Sequence, residues 1–147
     1  MDIVGFIKES NRIENIHRDP TQAEIEEFQR FMQLEKVTID DLEHFVRVYQ
    51  SDAKLRDTSG MDVIVGRYVP PRGGAHIPAR LDGLLFSVNH GTISAYKTHL
   101  KYESLHPFTD GNGRSGRMLW AWQMGIIPAL NLGFLQRFYY QTLAAIR

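Results

Sequence analysis

"SLHPFTDGNGRSGR", residues 104–117, is the stretch from which the rest of the chain is read. Proline at 107 biases His106 away from helical backbone, so a helix running through "KYESL" should stop there. "TDGNG" is turn chemistry, and "RSGRMLWAWQM" restarts a helix with Met118, Leu119 and Trp122 as its apolar face. The loop thus delivers Gly111, Asn112 and Gly113 to a helix N-terminus. Backbone N–H groups point outward there, the dipole is positive, and glycine admits an anion closely. Arg114 and Arg117 share one helical face beside that hole, and two guanidiniums suit a polyphosphate better than a single carboxylate. Asp110 at the rim would oppose phosphate unless a cation bridged them, a conflict that magnesium resolves. His106 adds a proton acceptor near neutral pH.

The surroundings are those of one compact domain spanning 1–147, large enough for a substantial core. Seventeen lysines and arginines balance seventeen aspartates and glutamates, so no global field favours nucleic acid or membrane, and charge-driven binding must be local. The basic residues are scattered, with no stripe for nucleic acid. No stretch approaches the apolar length of a membrane span, and the N-terminus does not read as a signal peptide. Cysteine is absent, which removes disulfides and thiolate metal sites and fits a cytoplasmic protein.

Most of the chain reads as amphipathic helix. "TQAEIEEFQRFMQLE" opens with Thr21 and Glu24 in capping-box spacing and puts Ile25, Phe28 and Met32 on one face. "TIDDLEHFVRVYQ" follows with Thr38 as cap and Leu42, Phe45, Val46 and Tyr49 in phase. "IPARLDGLLFSVN" aligns Leu81, Leu84, Leu85 and Val88, and "ISAYKTHLKYESL" aligns Ile93, Tyr96 and Leu100. "GFLQRFYYQTLAAIR" aligns Phe134, Leu135, Phe138, Tyr139, Thr142, Leu143 and Ile146. The expected fold is mainly α, a helical bundle. One segment departs from it: turn residues at Thr58, Ser59 and Gly60 precede the β-branched Val63, Ile64 and Val65, which predicts a β-hairpin over about 55–69 that ends at Pro70–Pro71. In a helical domain, such a hairpin is either a packing patch or a flap over a site.

"HPFTDGNGRSGR" matches the Fic signature HxFx(D/E)GNGRxxR at every fixed position, so the chain resembles the Fic domain family over nearly its whole length. The resemblance implies a Fic-type bundle with "VIVGRYVPP" as its flap, and an adenylyltransferase that moves AMP from ATP to a Ser, Thr or Tyr hydroxyl of a target protein, releasing pyrophosphate. It implies that His106 is the general base and that Asp110 holds magnesium on the α- and β-phosphates. Gly111, Asn112 and Gly113 would cradle phosphate, Arg114 and Arg117 would take the β and γ groups, and Phe108 would pin the loop to the core. Val63 of the flap and Tyr140 would border the adenine, Tyr139 less so. The target protein would dock on the flap, and self-modification is also open. The related Doc kinases carry a lysine in place of the second glycine, so the intact "GNGR" argues for nucleotidyl transfer. No Walker A sequence is present.

"SNRIEN", residues 10–15, fits the family's inhibitory pattern (S/T)xxxE(G/N) through Ser10, Glu14 and Asn15. The resemblance implies an inhibitory helix over about 8–18 whose Glu14 pairs with Arg117 and blocks the γ-phosphate. A carboxylate on that arginine replaces the phosphate that would bind it. Removal of AMP from a modified protein, transfer of another nucleotide or of phosphocholine, and a non-catalytic nucleotide-sensing module are the alternatives. His106 argues against the last, because a pure binder needs no base. "ENIH" and "ESLH" carry the E-x-x-H spacing of di-iron bundles, but such a site also needs a glutamate from each of two further helices, and Pro107 ends the second helix at its histidine. His17, His44, His76, His90 and His99 have no ligand spacing and read as solvated or structural.

Overall fold

The computed structural model describes residues 2–125, which form six helices. The expected helix around residues 134–146, with Tyr139 and Tyr140, lies outside the described residues. Helix α1 (Ile3–Ile13) starts at Asp2, whose carboxylate accepts the Gly5 N–H at 2.7 Å. Its range corrects the expected 8–18 at both ends. It stops because Asn15 is left-handed (φ 62), with Asn15 N–H on the Arg12 carbonyl and Ile16 N–H on that of Asn11. These are the paired bonds of a Schellman motif, which make Glu14 the C-cap.

Helices α2 (Gln22–Met32) and α3 (Ile39–Tyr49) both begin with full capping boxes, Thr21 with Glu24 and Thr38 with Asp41. Helix α4 (His76–Asn89) buries Leu81, Leu84, Leu85 and Val88 as their spacing predicts. Helix α5 (Ala95–Leu105) differs. Tyr96 is exposed, and the inward face is Thr98, His99, Tyr102, Glu103 and Leu105. Helix α2 also turns Glu24 and Glu27 inward beside Phe28 and Phe31, while Ile25 and Met32 are only half-buried. Buried polar groups carry these two faces, and an apolar periodicity cannot register them. Helix α6 (Asn112–Met124) is inserted among the others and packs chiefly on α5, with Met118 and Leu119 in the core.

The expected hairpin over 55–69 is reduced to its turn. No strand ladder forms; Val65 and Tyr68 exchange backbone bonds of 2.9 Å across Gly66–Arg67, and Leu55 makes an isolated bridge to Phe108. The β-branched run has no partner strand among the described residues, and a ladder needs one. The segment is instead tied down at its ends. The Tyr68 hydroxyl donates to the Ser104 carbonyl at 2.7 Å, and the Asp62 carboxylate accepts the Gly73 N–H at 2.9 Å.

Candidate functional site

The loop between α5 and α6 gathers His106, Asp110, Gly111, Asn112, Gly113, Arg114 and Arg117 at one helix N-terminus. Helix α5 ends at Leu105 with His106 left-handed (φ 52, ψ 62), away from helical backbone as the following proline predicts. Phe108, fully buried, anchors the loop in the core. Asn112 fixes its curvature. Its side-chain carbonyl accepts the Phe108 N–H and its amide donates to the Phe108 carbonyl, both at 2.8 Å. The Asn112 side chain is thereby committed inward to the loop backbone.

Gly111 is the N-cap at φ 80, and a β-carbon there would sit 3.2 Å from that of Val46. Left-handed backbone and a close neighbour both require glycine. Beneath the turn, Ser115 donates to the Gly111 carbonyl at 2.8 Å and lies 2.7 Å from the buried Tyr102 hydroxyl. Asp110 is exposed at the rim, with Oδ1 accepting the Gly111 N–H at 2.7 Å. No group of three or more His, Asp or Glu among the described residues could hold a metal. A lone rim carboxylate fits magnesium only in the mode in which a nucleotide's phosphates complete the coordination.

Arg117 is buried and donates to α1 and its C-cap. Nε donates to Ser10 Oγ at 2.8 Å, and Nη2 donates to the Ser10 carbonyl at 3.0 Å and to Glu14 Oε1 at 2.7 Å. Glu14 Oε1 also lies where a β-carbon on Gly113 would go. The carboxylate therefore sits against the first turn of α6, on the spot where its N–H groups and Arg117 would meet an anion. An acidic C-cap opposes its own helix dipole; here the guanidinium offsets that. Arg114 takes another course, its guanidinium carbon 4.7 Å over the Tyr49 ring. Burial pulls its pKa down, while the charge of Glu14 works the other way.

Residues that the sequence did not single out support this arrangement. Asn11, fully buried on α1, donates to Glu24 Oε2 at 2.8 Å, and Arg18 reaches the other oxygen at 2.7 Å. These bonds outweigh the desolvation that would raise the Glu24 pKa, and it stays below the usual range. Tyr49 and Asn11 look like ordinary helix residues, and only the contacts identify them. Val63 is half-buried in the flap segment, and Tyr140 lies outside the described residues.

A search of curated proteins finds no match. The model of the Fic/DOC family matches residues 10–124, from Ser10 of α1 to the end of α6. Its members generally transfer a nucleoside monophosphate to proteins. With most of the chain matched, and with the motif loop lying at the N-terminus of a helix buried in the bundle, this protein belongs to the Fic/DOC family.

Proposed function

We propose that the protein is a self-restrained adenylyltransferase that moves AMP from ATP to a hydroxyl of a target protein, or of itself. The observation that carries the reading is the Glu14 carboxylate against Gly113 and Arg117, since it occupies an anion site that a terminal phosphate would otherwise take. In the proposed reaction the hydroxyl oxygen attacks the α-phosphorus and the α–β bridging P–O bond breaks. Pyrophosphate leaves, and the hydroxyl proton passes to His106. Its Nδ1 is buried, which leaves Nε2 as the nitrogen for that proton. The N–H groups of the α6 first turn orient the phosphates with Arg114 and Arg117, so positioning and charge do most of the work. Asp110 would hold magnesium, which when bound offsets phosphate charge. The exposed Ile64 edge of the flap would receive the acceptor segment by strand addition. None of the described helices is long and apolar enough to cross a membrane; a cytoplasmic setting is proposed because the chain, without cysteine, fits a reducing compartment.

The test uses ATP labelled at either the α- or the γ-phosphorus, with magnesium, on the Glu14→Gly protein in a lysate. Label gained over the lysate without the added protein should come from the α position only, and Glu14→Gly/His106→Ala should add none. Transfer of the γ label would replace this reading with that of a kinase.

A further inference from the structure

Arg56 is among the most buried side chains of the protein, at 0% exposure, yet it forms no ion pair among the described residues. Its donors go to backbone carbonyls of two separate segments. Toward the end of α5, Nε donates to the His106 carbonyl at 2.7 Å and Nη2 to that of Leu105 at 2.8 Å. The Arg56 N–H adds the Pro107 carbonyl at 2.9 Å, so three consecutive carbonyls at the motif histidine are held by this one residue. Toward the flap, Nη1 donates to Met61 at 3.1 Å and to Pro71 at 2.8 Å, the two limbs of the segment. The Arg56 carbonyl accepts the Gly74 N–H at 3.0 Å.

Two physical problems meet here. The last carbonyls of a helix lack partners within it. A left-handed non-glycine residue such as His106 (φ 52) also persists only where its surroundings hold it. A planar guanidinium with five N–H donors in a fixed fork answers both, and the same plane reaches the flap. A lysine has three donors on a single atom and cannot span both segments. Burial draws the Arg56 pKa down, with Asp62 offsetting part of this, and the hydrogen-bond partners of the guanidinium are four backbone carbonyls.

We propose that Arg56 is a positioning residue that locks the flap and His106 into one register, so that an acceptor hydroxyl aligned on the flap arrives at the imidazole. The part concerning transfer rests on the proposed function; the mechanical part does not.

Two measurements separate them. Amide hydrogen exchange on Arg56→Lys and Arg56→Gln should quicken at 58–73 and 104–108 together, at least about tenfold, while α2 and α3 keep their protection. Gly73→Ala gives an independent push, because its β-carbon would lie 2.6 Å from the Met61 carbonyl oxygen and must displace the flap. It should loosen 104–108 when Arg56 is present and add little in Arg56→Lys, the signature of a coupled pair. In the Glu14→Gly background, Arg56→Lys should slow self-labelling by roughly a hundredfold, the scale of an ångström-level misplacement, with the Kd for magnesium–ATP within about threefold. Loosening of one segment alone, loss of protection throughout the bundle, additive effects of the two substitutions, or a full labelling rate with lysine would overturn the proposal. If Glu14→Gly itself transfers nothing, the proposed function fails and the exchange comparison alone decides the role of Arg56.

Discussion

Arg117 and His106 divide the work of the site. Arg117 is held by α1 through Ser10 and Glu14, whereas His106 stands at the end of α5 in a backbone conformation set by Arg56. A substitution at His106 should therefore leave nucleotide binding alone. In the Glu14→Gly background, His106→Ala is expected to lower the transfer rate by about 10²–10⁴-fold with an unchanged Kd for ATP, measured by labelling and calorimetry. Asp110→Asn should do the reverse in kind, weakening ATP binding in the presence of magnesium and changing little without it. At this scale the sequence was most legible at the fixed motif positions, where backbone chemistry dictates residue type. Arg56 was not legible, because nothing local in "KLRDTSG" says that a loop arginine will be fully buried.

Among the elements, α1 is the one whose ends matter. Asn15 is left-handed, and its bonds to α1 stop the helix so that Glu14 falls at its last turn. The final G/N of the inhibitory pattern is thus a helix stop, chosen by conformation. Asn15→Gly should preserve the restraint on transfer, whereas Asn15→Val meets a left-handed penalty of about 1–2 kcal/mol and should release part of it. Labelling rates of the two variants, ordered valine above glycine, check this. The flap shows where sequence reasoning stopped short. The β-branched run at 63–65 predicts a strand, but no partner strand exists among the described residues, and one turn at Gly66–Arg67 is what remains. The starts of α2 and α3 were readable from Thr21 with Glu24 and from Thr38 as cap. The inner face of α5 was not, because Thr98, His99, Tyr102 and Glu103 are buried polar groups.

That buried polar layer between α5 and α6 gives the whole molecule a pH dependence. His99 is pulled down to about 4, first by desolvation and then by the charge of Arg117, while its hydrogen bond to the Gly116 carbonyl opposes the shift. A histidine with a depressed folded pKa is neutral in the fold, and the unfolded chain takes up the proton first. Stability is therefore fully present above the ordinary histidine pKa and declines as pH falls toward 4, by about 3 kcal/mol for this residue. Chemical denaturation between pH 7 and pH 4.5 should show that decline, and His99→Gln should flatten it.

The measurement that bears most directly on self-restraint compares initial labelling rates of the parent and Glu14→Gly proteins at saturating ATP and magnesium. One charge-assisted hydrogen bond contributes about 1.5–3 kcal/mol, so its removal predicts a rise of roughly ten- to hundredfold. Arg117→Ala, which breaks the same pair and also removes the phosphate contact, should give no rise. Equal rates for the parent and Glu14→Gly would contradict the account and leave "SNRIEN" as the end of an ordinary helix.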